Sequence, residues 1–317
     1  MPDHPAGFAP QSHARLMVGA DLCFASTPVA GYSISMLMRQ FLLTLGISGL
    51  AVATLVAASP LALAAASDWQ DLGGGKARLI AAKDPVSGAL DGVIEVRLDD
   101  GWKTYWRSPG SSGIAPEFDF SASRGSFVDH VNFPVPQHIS AGEDRFYGYR
   151  GTVLFTFSGM AEMPDNELSL DMLIGVCEEI CIPASAHLAI RADALDRSDP
   201  LAGRLVTMAR SFLPEPADDR LKAVSAHRAD DRIVVEIEGE VPEGETVAGI
   251  VWQAGGWNSD PVPAERQGDG SYRLSVPLHG NDTGGDMPPA GWHYTLLVES
   301  GDGKVARAVE GRIAASQ

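Results

Sequence analysis

Cysteine is scarce in this chain: three residues in 317, at Cys23, Cys177 and Cys181. So few thiols leave one close pair and, with Cys23 far upstream, no neighbouring third cysteine to complete a thiolate metal site. Basic residues are also few, with 24 Lys and Arg against 41 Asp and Glu and a formal net charge of −17. That balance disfavours nucleic acid and anionic membranes as partners and suits a soluble protein, with a basic patch on a partner as its natural complement. Beyond Ala58 there is no apolar run of membrane length, so the remainder cannot itself carry anything across a bilayer. No serine–histidine–aspartate order, phosphate-cradling glycine loop or His-Glu-X-X-His zinc motif is present, which leaves hydrolase and nucleotide chemistry without support.

What is present begins with an export signal. From Met36 the chain reads Met-Leu-Met-Arg-Gln-Phe-Leu-Leu, with Arg39 as a short positive region and Phe41 to Ala58 as the apolar stretch. Ala62-Leu63-Ala64 and Ala64-Ala65-Ala66 both fit signal peptidase, which predicts a mature chain starting between Ala65 and Ser67. An uncleaved anchor is the alternative, and only then would the protein contact a membrane directly. Residues 1–35 carry no export logic, so Met36 or Met38 is the expected initiator and Cys23 falls outside the mature protein. Loss of residues 1–66 removes Arg15, Arg39, Asp3 and Asp21, leaving 22 basic and 39 acidic residues and the same net charge of −17. The remaining length of about 250 residues accommodates two modest domains, each with its own core.

The first half is dominated by short apolar alternations: Ala77 to Ala81, Val93 to Leu98, Val153 to Phe157, Leu168 to Ile174 and His187 to Ile190. Turn residues separate them, as in Asp84-Pro85-Val86-Ser87-Gly88 and Ser108-Pro109-Gly110. This pattern predicts an antiparallel β-sandwich. One helix interrupts it: Ser198-Asp199-Pro200 supplies a capping carboxylate and a proline at the first helical position, and Leu201, Leu205, Met208 and Phe212 follow at helical spacing. Leu213-Pro214-Glu215-Pro216-Ala217-Asp218-Asp219 then reads as a domain boundary. Strand signals resume at Ile233 to Ile237, Val247 to Trp252, Tyr272 to Val276, Tyr294 to Val298 and Val305 to Val309, with a Gly/Pro/Asp-rich loop at Pro277 to Gly291. The expected organisation is all-β, with two sandwich domains. Residues 1–66 form the non-mature segment, 67–195 a first domain, 196–219 a helix and linker, and 220–317 a second β domain.

The chemistry concentrates in Gly175-Val176-Cys177-Glu178-Glu179-Ile180-Cys181-Ile182-Pro183. Strand signals flank this segment, which predicts a thiol pair across a tight turn. In an extended chain, Cα atoms four positions apart would lie about 13 Å from each other. Disulfide geometry needs about 4.4–6.8 Å, so bonding requires the chain to fold back between them. Such a bond is either a hairpin staple or a redox site. As a staple it is weak: closing so short a loop is worth about 2 kcal/mol on the chain-entropy model, against about 4.7 for a 100-residue loop. A bond at a turn is accessible to exchange. Glu178 and Glu179 disfavour thiolates beside them, which suits an electron carrier better than a strong oxidant.

Four motifs occur in order: Gly101-Trp102-Lys103-Thr104-Tyr105-Trp106-Arg107-Ser108-Pro109-Gly110, Asn132-Phe133-Pro134-Val135-Pro136, Asp144-Arg145-Phe146-Tyr147-Gly148-Tyr149, and the cysteine segment ending at Pro183. Together they resemble the periplasmic N-terminal domain of the DsbD thiol:disulfide interchange proteins, over roughly residues 70–192. A second β domain after it is more similar to the copper-sensitivity-suppressor branch. The resemblance implies immunoglobulin-like sandwiches, a periplasmic location and a protein-disulfide reductase component without cofactor, in a family setting of copper tolerance and cytochrome c biogenesis. It implies that Cys181 attacks the client disulfide and Cys177 resolves the mixed disulfide. A cap is implied at Phe146, flanked by Asp144 and Tyr147, with Tyr105 lining the site. The implied partners are a membrane electron-transfer protein of the DsbD/CcdA type and thioredoxin-like periplasmic proteins. Two departures stand out: only three residues separate these cysteines, and the membrane and thioredoxin-like domains of full-length relatives are missing from the sequence.

Two rival readings remain. Cys177, Cys181 and His187, with Met160, Met163 or Met172, offer soft ligands to Cu(I), although methionines on strands pack by default. His130 and His138 read as ordinary surface or core residues. Alternatively, the chain is a binding module whose disulfide is a passive clip, because sandwiches host many roles.

Overall fold

The computed structural model describes residues 65–110, 113–141, 144–162, 166–195, 200–253, 257–278 and 291–313. The signal segment, Ser198, Asp199, Met163 and most of the Pro277 to Gly291 loop lie outside them. Among the described residues, nineteen strands and two helices follow one another. They are β1 (Gln70–Asp71), β2 (Gly75–Lys83), β3 (Ala89–Leu98), β4 (Lys103–Tyr105), β5 (Glu117–Asp119), β6 (Ser126–Asn132), β7 (Gln137–Ala141), β8 (Asp144–Arg150), β9 (Thr152–Ala161), β10 (Glu167–Cys177) and β11 (Cys181–Arg191). Helices α1 (Ala192–Leu195) and α2 (Pro200–Arg210) come next. The remaining strands are β12 (Glu215–Pro216), β13 (Leu221–Ala229), β14 (Arg232–Gly239), β15 (Thr246–Trp252), β16 (Val262–Arg266), β17 (Tyr272–Pro277), β18 (Trp292–Glu299) and β19 (Val305–Ile313).

They form two immunoglobulin-like sandwiches. In the first, a five-stranded sheet of order β1-β2-β3-β9-β6 faces a six-stranded sheet of order β11-β10-β4-β8-β7, with β5 paired to β10. Alternate residues of each strand fill the space between the sheets, as a half-buried antiparallel strand dictates. Leu79, Ile94, Phe155 and Phe157 come from one sheet, and Leu170, Ile174, Val176 and Leu188 from the other. The second sandwich is an eight-stranded sheet of order β12-β19-β18-β15-β16-β17-β14-β13, folded over its own core. The fold-over occurs along β16, whose Val262 and Pro263 pair with β15 while Ala264 to Arg266 pair with β17.

The strand signals of the sequence each fall within an observed strand, and strands β1, β4 to β8, β12, β13 and β16 add to them. The apolar stripe of α2 is split, with Leu205 partly buried against Val93, Leu154, Val206 and Ala209 and its other members turned outward. Ala202, Val206 and Ala209 are buried against the five-stranded sheet, whereas Leu201, Met208 and Phe212 are 61%, 48% and 51% exposed. Small side chains at Ala202 and Ala209 allow the helix to lie close to the sheet, while Leu201, Met208 and Phe212 turn outward.

The two sandwiches share apolar surface within the compact unit Pro60–Gln317. Ala248, Ile250, Leu297 and Ala308 of the second belong to the same buried cluster as the first sandwich's core. Polar contacts stitch the junction. Ser108 Oγ donates to the Ser259 carbonyl at 2.5 Å, and buried Arg107 pairs with Glu310 at 3.1 Å while lying over Trp252 and Phe133.

Candidate functional site

The site is built on the β10–β11 hairpin. Eleven positions of β10 pair in register with β11, ending with Cys177 opposite Cys181. Glu178, Glu179 and Ile180 make the turn and are exposed, with Ile180 77% exposed. Register alone therefore brings the cysteines together: their Cα atoms are 4.1 Å apart and the sulfurs are joined as a disulfide. Pro183 is accommodated inside β11 because that strand is the sheet's edge, where a missing N–H can face outward.

The side-chain alternation of β10 separates structure from chemistry. Ile174 and Val176 enter the core, so Gly175 and Cys177 lie on the opposite face. Beside them runs β4, with Lys103 opposite Cys177 and Thr104 opposite Val176. Tyr105 shares the outer face with Lys103, and its hydroxyl lies 3.0 Å from Cys181 Sγ. Gly175 makes that approach possible: a Cβ there would sit 2.9 Å from both Tyr105 Cδ2 and Ile114 Cβ. Thr104 Oγ1 fixes the spacing by donating to the Gly175 carbonyl at 2.7 Å.

The next strand, β8, adds Phe146. Gly148 pairs with Tyr105, and Phe146 lies two residues along on the same face, its ring 4.9 Å from the Tyr105 ring. Tyr147 points to the other side. It is 7% exposed, its ring lies 6.0 Å from Trp106 and 5.1 Å from His138, and its hydroxyl donates to Glu299 of the second sandwich at 2.8 Å. Burial together with the Glu299 contact pushes the Tyr147 phenol well above the usual tyrosine range. The structure thus brings Cys177, Cys181, Tyr105 and Phe146 together and puts Tyr147 at the sandwich junction. Asp144 begins β8, but its side chain lies outside the described residues.

The two sulfurs differ in surroundings. Cys177 is 1% exposed and Cys181 is exposed. Cys181 is thus the more accessible residue of the pair, and the Tyr105 hydroxyl donates to its sulfur. Lys103 was not singled out from the sequence. It is buried, and its Nζ donates to the Glu178 carbonyl in the turn at 2.5 Å. Its signal was present, since it sits two residues before Tyr105 in the same motif and two-residue spacing in a strand means a shared face.

The proposed copper ligands lie apart. His187 pairs with Asp171 at 2.8 Å on exposed surface, Met172 is buried in the core, and Met160 belongs to the opposite sheet. His138 contacts Glu299 at 3.1 Å, and His130 lines a cleft of about 1140 Å³ where the sandwiches meet. Among the described residues no three His, Cys, Asp or Glu side chains gather as a metal site, and no helix is long and apolar enough to cross a membrane.

Comparison with known proteins bears on the fold. Residues 77–192 match the family described as "Thiol:disulfide interchange protein DsbD, N-terminal". Among solved structures, the N-terminal periplasmic domain of ScsB from Proteus mirabilis superposes with a TM-score of 0.56 at 19% identity, covering 80% of this chain and 100% of that one. That likeness spans both sandwiches and speaks to fold. A membrane-anchored protein from Corynebacterium diphtheriae aligns at 12% identity over 76% of this chain and 54% of its own, with a TM-score of 0.20 that carries no argument. No curated protein matches the chain.

Proposed function

We propose, from the premise that residues 77–192 form a DsbD-type N-terminal domain, that this protein is a periplasmic thiol:disulfide carrier. Residues 67–195 hold the redox site, 196–219 connect, and 220–317 form a second domain that flanks it. A membrane electron-transfer protein of the DsbD/CcdA type reduces the pair, and the reduced pair passes electrons to oxidised thioredoxin-like proteins. The observation that carries this reading is the asymmetry of the sulfurs: an exposed Cys181 touched by the Tyr105 hydroxyl, joined to a buried Cys177.

Each step balances in electrons. A donor thiolate attacks Cys181 Sγ, a donor–Cys181 bond forms, the Cys177–Cys181 bond breaks, and its electron pair leaves on Cys177. A second donor thiol, deprotonated, then attacks the donor's own sulfur and releases Cys181 as thiolate, so the donor is oxidised and the pair reduced. Delivery to a client runs through the same sulfur: Cys181 attacks the client disulfide, and Cys177 resolves the mixed disulfide. Phe146, packed on Tyr105, acts as the cap that a docking partner displaces, limiting access by small thiols.

The test uses the purified protein and its cysteine variants with a thioredoxin-like dithiol. Cys181→Ala abolishes transfer, whereas Cys177→Ala accumulates a mixed disulfide that resists resolution. The wild-type reduction potential is expected between about −270 and −180 mV, the range between thioredoxin and disulfide isomerase. A potential well below about −300 mV, with no mixed disulfide in either variant, would leave the bond a passive clip. Thiol-dependent Cu(I) uptake without electron transfer would point to metal handling instead.

A further inference from the structure

Lys103 presents a problem that the oxidised protein leaves unsolved. Its side chain is 7% exposed, yet its described partner is the neutral Glu178 carbonyl rather than a carboxylate. Burying an ammonium without a counter-charge is expensive, and such groups are ordinarily paired. The residue directly across the ladder is Cys177, itself 1% exposed. Opposed positions of an antiparallel pair share a face with Cβ atoms about 4.5–5.5 Å apart. In the disulfide, Cys177 is uncharged. Once the bond opens as described above, the electron pair left on Cys177 makes it an anion in the same buried layer.

We propose that Lys103 is the built-in counter-ion of the Cys177 thiolate: a positioning residue that holds the hairpin turn through Glu178 and stabilises Cys177 as leaving group and resolving nucleophile. This rests on the carrier reading of the same pair. Among the described residues, charges near the turn end of the hairpin include Arg150 on β8, Glu178 and Glu179 in the turn, and Asp99 and Asp100 before β4, all of them exposed, while Glu167, Asp171, His187 and Arg191 lie farther along its strands. Solvent and salt screen exposed charges strongly and buried ones weakly, so the ammonium dominates the field at Cys177 over the turn carboxylates. Tyr105 acts on the other sulfur, by hydrogen bonding to Cys181. The pair is thereby divided: the buried sulfur receives a charge, the exposed one a neutral donor.

The experiment titrates Cys177 in a Cys181→Ser background, reading thiolate by absorbance and by the pH dependence of alkylation. Lys103→Met preserves the apolar stem and removes the charge. It should move the Cys177 midpoint upward by about one pH unit, a tenfold loss of thiolate below the midpoint. Lys103→Arg should keep the midpoint near its original value, a rescue that a purely packing role would not produce. In the protein with both cysteines, reduction by dithiothreitol should slow about threefold in Lys103→Met, because a less acidic thiol leaves more slowly. Should Lys103→Met fail to fold, Lys103→Gln retains a donor for the turn and removes the charge, with the same expected midpoint shift. Unchanged midpoints in the folded neutral variants, or equal shifts in Lys103→Arg and the neutral variants, would overturn the proposal. The carrier reading fails separately, if the wild-type pair exchanges with no protein dithiol while the Lys103 dependence of the midpoint persists.

Discussion

The two faces of the six-stranded sheet in the first sandwich are made from alternating residues of the same strands, yet they do different work. On the inner face Ile174, Val176, Tyr147 and Tyr149 belong to the buried apolar cluster. On the outer face Gly175, Cys177, Lys103, Tyr105 and Phe146 assemble around a disulfide. A one-residue step along β8 takes the chain from the ring beside the cysteine site to the hydroxyl that grips the second sandwich. The stability of the hairpin and the reactivity of its cysteines are therefore held by separate sets of side chains, and substitutions should separate them.

The largest expected effect is on the inner face. Ile174→Ala removes a fully buried side chain and should destabilise the protein by about 2–5 kcal/mol, read as a lower denaturant midpoint, with thiol exchange of the folded protein unchanged. Gly175→Val lies on the other face of the same strand and forces its Cβ against Tyr105 and Ile114. The strain should cost about 1–3 kcal/mol, and here exchange kinetics should change as well because Tyr105 is displaced from Cys181. Phe146→Ala should leave stability within about 1 kcal/mol, since the ring is half-buried, while glutathione reduces the uncovered disulfide several-fold faster. An unchanged glutathione rate would remove Phe146 from the cap.

Tyr147→Phe is the smallest of these at neutral pH: losing the bond to Glu299 should cost about 1 kcal/mol and leave exchange untouched. Its signature is in the pH dependence. The phenol is held protonated in the folded state and titrates near pH 10 when unfolded. Its contribution is present below that value and is lost as pH rises above it, because only the unfolded state then gains the phenolate. Urea midpoints compared at pH 8 and pH 11 should fall less in Tyr147→Phe than in the wild type. Tyr149, also shifted upward by burial, retains part of the slope.

Much of this arrangement was legible in the residues. Strands such as β3, β9, β10 and β18 announce themselves because one face is continuously apolar. Strands β6 and β13 do not, since His130, Asp129, Lys222 and His227 dilute the pattern. The turn between the cysteines followed from flanking strand signals, but the direct opposition of Cys177 and Cys181 is a matter of register, which emerges only when β10 and β11 pair. Tyr105 and Phe146 entered through family resemblance, and Tyr147 with them; strict alternation along β8 sends Tyr147 to the junction instead. Lys103 escaped because lysine in a short segment reads as solvent-exposed. Its burial goes with the pairing of β4 between β10 and β8 and with its bond to the Glu178 carbonyl, tertiary contacts that the motif alone does not give. The outward turn of Leu201 and Met208 on α2 escaped for a related reason: periodicity marks a helix without saying which side the small residues Ala202 and Ala209 will press against the sheet.

The long pairing of β10 with β11 has a consequence for repeated use. Backbone hydrogen bonds, rather than the sulfur–sulfur bond, hold positions 177 and 181 in apposition. Breaking the covalent link frees a loop too short to gain much disorder, so both oxidation levels can share one architecture. On the carrier reading proposed above, turnover would require little reorganisation of the scaffold, and each cycle would begin from the same geometry as the last.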